Sequence, residues 1–208
     1  NTSDYSYVTY FVSMLVWMAA AYTVLLALDQ LNGRVTFEVL SNYLIIVCVV
    51  QCVIAVMISR VPGFKDLVAV IMPGIYGLEK MADGRLYGIG CAFDVAGIRF
   101  SCVLVLIIRM ILVQFEKIEV NKKLVYSYWI AFLVIVIIGN MIARTTTVGA
   151  LIALGYLSCV LIFGKNRIAG SVLKSFLGVL LITVPFAIYL YQNDPMFRED
   201  FRFGFEGF

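Results

Sequence analysis

The chain has 208 residues, of which 62% are apolar and only 14% charged, and its mean hydropathy is +0.98. Soluble globular domains do not reach these values, so the chain reads as a polytopic membrane protein. Its net charge of +3 is small and scattered, and no basic run is dense enough to track a phosphate backbone, which argues against a nucleic-acid partner.

In chain order, Val8 to Leu28 is the first expected span, with Tyr5, Tyr7 and Tyr10 where an aromatic belt would lie. No basic segment precedes it and no small-residue cleavage site follows, so it reads as a true span rather than a signal peptide. A polar turn at Asp29 to Arg34 leads to a second span, Phe37 to Ser59, whose Ser41, Asn42 and Gln51 are tolerable if they face other helices. From Arg60 to Asp94 the character changes. Pro62, Pro73 and several glycines are mixed with charges, and the one apolar stretch, Leu67 to Ile71, is short. Too broken to span and too apolar for a solvent loop, this segment is expected to be re-entrant or to lie along one membrane face.

The third span, Val95 to Phe115, carries Arg99 near its start and Arg109 inside it. A central arginine costs about 2.5–3.5 kcal/mol on insertion scales, so Arg109 must either snorkel towards the lysine-rich loop that follows or join an ion pair. After that loop, Glu116 to Lys123, come the fourth span at Leu124 to Ala143, the fifth at Val148 to Phe163 and the sixth at Val172 to Tyr191, with a kink expected at Pro185. The expected fold is all-α: one transmembrane bundle of six spans with an interfacial segment at 60–94 and the start of an external loop at 192–208. Asn1 is not a methionine and Phe208 closes a Phe/Arg/Gly pattern without stop character, so a piece of a longer protein is expected.

Cys48, Cys52, Cys102 and Cys159 lie in apolar runs and Cys91 in a polar connection. With no histidine in the chain and no carboxylate beside Cys48 and Cys52, these read as buried free thiols and not as a metal centre.

The stretch Gly139 to Gly149 places Arg144, Thr145, Thr146 and Thr147 between two long apolar runs. A helix starting there would offer free backbone N–H groups beside a guanidinium, a pairing suited to an anion and above all to phosphate. Thr147 is expected to cap that helix while Thr145 or Thr146 donates to a phosphate oxygen. The bland reading is an arginine anchored at the interface. Arg85 beside Asp83, and Arg99 beside Asp94, could equally form ordinary ion pairs.

The positive-inside rule, applied to the short loops, puts Glu116 to Lys123, Gly164 to Gly170 and Asp29 to Glu38 in the cytoplasm. Arg85, Arg99, Arg144, Asp94 and the aromatic tail then share the external face.

Two strings, Asp83-Gly84-Arg85-Leu86-Tyr87-Gly88-Ile89-Gly90 with Phe93-Asp94 and Gly139-Asn140-Met141-Ile142-Ala143-Arg144-Thr145-Thr146-Thr147-Val148-Gly149, together with the tail Phe201-Arg202-Phe203-Gly204-Phe205-Glu206-Gly207-Phe208, resemble the O-antigen polymerase and O-antigen ligase superfamily. The likeness is to the Bacteroides-type polysaccharide polymerases in particular. It covers about the middle half of a typical member. It implies an all-helical glycosyltransferase of the GT-C type in the bacterial inner membrane, working without a metal or other cofactor. Such an enzyme transfers an undecaprenyl-diphosphate-linked glycan to an acceptor glycan at the periplasmic face, with membrane lipid and a chain-length regulator as further partners. It also implies that Arg85 and Arg144 hold the diphosphate, with Arg99 as a third cation. Phe93-Asp94 stands where many ligases have an asparagine. No general base stands out among Asp66, Glu79, Asp94 and Asp194, so this stretch alone is expected to lack transfer activity. The competing reading is a transporter or flippase for an anionic lipid or solute, its path lined by Arg99 and Arg109, although no internal repeat supports it.

Overall fold

The structure, a computed structural model, describes residues 6–71, 86–89, 93–163 and 166–205. Among the described residues the helices are α1 (Ser6–Asn32), α2 (Phe37–Arg60), α3 (Pro62–Ile71), α4 (Phe93–Glu116), α5 (Lys122–Ile142), α6 (Thr145–Phe163), α7 (Asn166–Asn193) and α8 (Pro195–Phe205). Six of them, all but α3 and α8, are long and apolar enough to cross a membrane. The protein is therefore an all-helical, multi-pass membrane protein.

Two compact units make up the chain, residues 1–40 and 41–208. In the first, α1 ends where Gly33 takes a positive φ of 74° and its N–H returns to the Asp29 carbonyl at 2.8 Å. Glycine reaches that left-handed conformation without a Cβ penalty, so it stops the helix cleanly. The predicted polar turn is this cap, and the Asp29 side chain reinforces it by accepting from the Val35 N–H.

The second unit is built on α4. Ala96, Phe100, Leu104, Ile107, Ile108 and Ile111 are essentially inaccessible, and they recur at the three- and four-residue spacing of one helical face. Met110 and Leu112 are buried as well, so α4 is covered around most of its circumference. Trp129 of α5 is fully buried and donates through Nε1 to Ser175 Oγ of α7 at 2.9 Å, with its ring 4.7 Å from that of Phe176. Tyr128, next to it, donates its hydroxyl to Asn42 Oδ1 of α2 at 2.7 Å. Buried aromatic polar tips need such partners, and here each one ties two spans together.

The tightest packing is between α4 and α6. A Cβ added at Gly149 would run into the backbone of Ser101, and one at Gly97 would meet the Thr145 hydroxyl. Gly97 and Ser101 on one helix, and Thr145 and Gly149 on the other, thus form two small-residue edges with four-residue spacing. Without side chains between them the backbones approach closely, which is how spans associate where lipid removes the hydrophobic incentive. The Ser101 hydroxyl donates to the Gly97 carbonyl at 2.7 Å, with the Thr145 carbonyl also in reach at 3.2 Å.

Several expectations change. The fifth span begins at Thr145, ahead of the expected Val148, because the chain turns within Ala143 and Arg144 alone. The tail expected to open a loop instead forms α8. Asp194 supplies the start signal, accepting from the Met196 and Phe197 N–H groups, and Pro195 occupies the first helical position. Pro185 lies inside α7, where the kink is expected. Cys48 and Cys52 are buried, but Cys102 and Cys159 face outwards from their spans, and Cys91 lies outside the described residues. Within the expected interfacial segment, α3 is an amphipathic helix about 15 Å long, too short to cross a bilayer. Its Val68 packs with Ile58 and Tyr87 while Val70 is exposed.

Gly149→Ala is expected to destabilise the protein in detergent by about 1–3 kcal/mol, since the intruding methyl meets backbone that cannot yield. Gly155→Ala, which faces open space, should be neutral or stabilising by up to about 1 kcal/mol. Reversible denaturant unfolding followed by tryptophan fluorescence measures both, and equal losses would contradict the close crossing.

Candidate functional site

Two groups of polar residues gather at one end of the second unit. The first is the α5–α6 hinge. Ala143 adopts an extended conformation (φ −149°, ψ 117°) and its N–H bonds the Gly139 carbonyl at 2.8 Å, closing α5. Arg144 follows as the single turn residue, half-buried and engaged by the surrounding chain, and α6 starts immediately after it.

The three threonines divide into distinct roles. Thr145 is exposed, against the Gly97 edge of α4. Thr146 is inaccessible, and its hydroxyl donates to the Gly139 carbonyl at 3.1 Å. Thr147 donates to Oδ1 of the buried Asn140 at 2.6 Å. The expected phosphate donor Thr146 is therefore committed to the fold, and Thr147, expected as the cap, sits inside the first turn of α6. That turn also uses its own amides: the Thr146 N–H bonds the Ala143 carbonyl and the Thr147 N–H the Arg144 carbonyl, both at 3.0 Å. The anion-attracting end of the helix is correspondingly narrower than the sequence implied, and is left to Arg144 and Thr145.

Beside the hinge, the Leu86 N–H donates to the Met141 carbonyl at 3.3 Å, and Leu86 and Tyr87 are buried. The glycine-rich segment thus reaches the hinge through these residues. Arg85 lies outside the described residues, as does the side chain of Asp94. Arg99 is exposed and has partners in the chain. It lies roughly 160–200° around α4 from the Gly97 and Ser101 edge that packs on α6. Arg109 is half-exposed and pairs with Glu116 at 3.4 Å, two turns nearer the opposite end of α4. Both expected fates of Arg109 are met in one arrangement, a side chain reaching towards the interface and an ion pair at its tip.

The second group was not read as a site from the sequence. Arg60, the last residue of α2, grips Asp194 with Nη1 at 2.9 and 2.7 Å from the two carboxylate oxygens, and its Nη2 lies 3.8 Å from Asp200 Oδ2. The Phe197 backbone N–H, and then the Arg60 guanidinium, hold the Asp194 carboxyl below the usual carboxylate value. Burial pushes Asp200 up to about 6, only partly offset by Arg60 and reinforced by the neighbouring Glu199 and Asp194 charges. The legible signal was Asp194-Pro195, a helix-start pair, followed by Phe197 and Phe201 on one face of an amphipathic turn.

Between α5 and α7 lies an apolar crevice of about 290 Å³, lined by Val134, Ile137 and Ile138 on one side and Ile182, Phe186 and Leu190 on the other. Phe197 of α8 completes it at the end that carries Asp194. No family model, curated protein or solved structure matches the chain.

Thr146→Val keeps the shape of the side chain and removes its donor. It is expected to cost about 0.6 kcal/mol and at most about 1.7 kcal/mol, the range for interhelical hydrogen bonds within membranes. Denaturant unfolding in detergent measures the loss, and an unchanged midpoint would mean that the Gly139 carbonyl gains nothing from Thr146.

Proposed function

We propose that this protein is a membrane glycosyltransferase of the O-antigen polymerase and ligase type, transferring an undecaprenyl-diphosphate-linked glycan to an acceptor glycan. The observation that carries this reading is Arg144, held half-buried at a two-residue turn between two membrane spans, with an exposed threonine beside it. Breaking a glycosyl–diphosphate bond leaves an anionic diphosphate. Fixed cations and N–H dipoles that meet the developing charge lower the barrier because they need no reorganisation when the bond breaks. A guanidinium offers a rigid fork of donors that matches phosphate oxygens in pairs.

The surroundings fit a lipid-linked substrate. Met141, next to the hinge, bonds Leu86 of the Arg85-Leu86-Tyr87-Gly88 string, so both strings behind the family resemblance contribute residues to one end of the unit. The crevice between α5 and α7 runs within two spans and is lined by aliphatic and aromatic side chains, as a prenyl chain requires. In this reading the hinge faces the periplasm and the protein resides in the bacterial inner membrane, with the lysine-bearing loops in the cytoplasm. A transport path through Arg99 and Arg109 has less behind it, since Arg109 pairs with Glu116 and Arg99 is exposed.

Arg144→Ala, introduced into the complete gene product, should lower transfer roughly 10²–10³-fold, the loss typical of removing one fixed stabiliser of transition-state charge. Arg144→Lys should recover part of it, because an ammonium keeps the charge without the paired geometry. A lipid-linked oligosaccharide transfer assay on membranes, normalised to inserted protein, reads the difference. Full polymer length and rate in Arg144→Ala would refute the assignment.

A further inference from the structure

We propose that α8 is a pH-dependent latch: the Arg60–Asp194–Asp200 cluster holds it across the end of the α5–α7 crevice more tightly in mild acid than at neutral pH. This device rests on the cluster and the crevice, and is independent of the activity proposed above.

The geometry supplies the latch. Helix α8 docks through aromatic contacts on one face and ionic contacts at its root. Phe201 stacks on Phe197 at 6.0 Å between ring centroids and meets Tyr191 of α7 edge-on at 5.6 Å. Arg198 reaches back to the last carbonyls of α7, donating to Tyr191 O at 2.9 Å and Gln192 O at 2.8 Å, which also places its guanidinium over the Tyr191 ring. Phe197 is the α8 side chain that lines the crevice, so a shift of α8 opens that end.

The pH dependence comes from one guanidinium serving two carboxylates. Asp194 takes a two-pronged hold on Arg60 and also accepts from the Met196 and Phe197 amides. Asp200, with a side chain only 16% exposed, shares Arg60 at the longer distance of 3.8 Å. The charged groups acting on Asp200 are Arg60 from α2, Asp194 at the α7–α8 junction and Glu199 beside it on α8. The α5 and α7 residues that share a crevice with Phe197 or Phe201 of α8, among them Ile137, Ile138, Leu190, Tyr191 and Gln192, include no aspartate, glutamate, lysine or arginine. Asp200 is therefore poorly compensated when ionised and well accommodated when protonated.

The two carboxylates respond in opposite directions. Docking raises the Asp200 value from 3.8 to about 6, so proton binding favours the docked helix and its stabilisation is lost as pH rises through about 6. The Phe197 N–H at the start of α8, and then Arg60, hold the Asp194 value below 3.8, so Asp194 stays ionised throughout this window and its pair with Arg60 persists. Linkage between these values gives a docking equilibrium roughly tenfold more favourable at pH 5 than at pH 7.5.

Hydrogen–deuterium exchange on the whole protein in lipid nanodiscs, corrected for intrinsic exchange at each pH, tests the latch. Amides of residues 196–205 should be roughly tenfold better protected at pH 5 than at pH 7.5. Asp200→Asn should show the acid level of protection at both pH values, and Arg60→Ala should show reduced protection at both. Unchanged protection of residues 128–142 reports that the bundle stays folded in each variant. Wild-type protection that is flat or falls towards acid would overturn the latch, as would an undiminished pH response in Asp200→Asn.

Discussion

The close crossing of α4 and α6 is the constraint on which the rest of the second unit depends. Within a bilayer, lipid tails solvate leucine as well as another helix does, so spans must be held by backbone proximity, dispersion contacts and interhelical hydrogen bonds. Gly97 and Gly149 allow that proximity, and Ser101 adds a hydroxyl beside the Thr145 carbonyl. With α6 drawn against α4 in this way, the connection from α5 shrinks to Ala143 and Arg144. Thr146 and Thr147 are turned inwards onto Gly139 and Asn140. The position of Arg144 is thus a consequence of helix packing.

The two ends of this unit have different electrostatic characters for identifiable reasons. At one end Arg109 reaches Glu116, an exposed pair whose contribution to stability is small. At the other, Arg60, Asp194 and Asp200 are drawn together from the end of α2, the α7–α8 junction and the body of α8, and Arg144 sits at the α5–α6 turn. Charges that are partly buried and drawn from distant parts of the sequence constrain one another far more than neighbours on one helix do. Between the ends, the hydrogen bonds from Tyr128 to Asn42 and from Trp129 to Ser175 give buried polar atoms partners at membrane depth, where an unpaired one would be costly.

Much of the architecture was legible because bilayer thickness is a one-dimensional rule. An apolar run of about 20 residues declares a span without reference to any other part of the chain, and the six runs correspond to six membrane-length helices. The hinge was legible for the same reason, since Arg144 interrupts two such runs. The roles of the threonines were not. Whether a hydroxyl points to a ligand or to a carbonyl one turn back depends on where α6 starts, and tight packing on α4 moved that start to Thr145. The α8 helix could have been found from Asp194-Pro195 and the Phe197/Phe201 spacing, but its aromatic and charged composition reads locally as a loop.

The sequence by itself determined an all-helical, multi-pass membrane protein, the six spans found among the described residues and the polar hinge between two of them, because hydrophobicity along the chain is a local property. Only the tertiary structure decided that Arg60 meets Asp194 and Asp200, that the Thr146 and Thr147 hydroxyls serve the fold, and that Phe197 closes a crevice between α5 and α7. Those contacts join residues as far apart as α2 and α8, and no local pattern of spacing or composition encodes which distant partners packing will bring within a few ångströms.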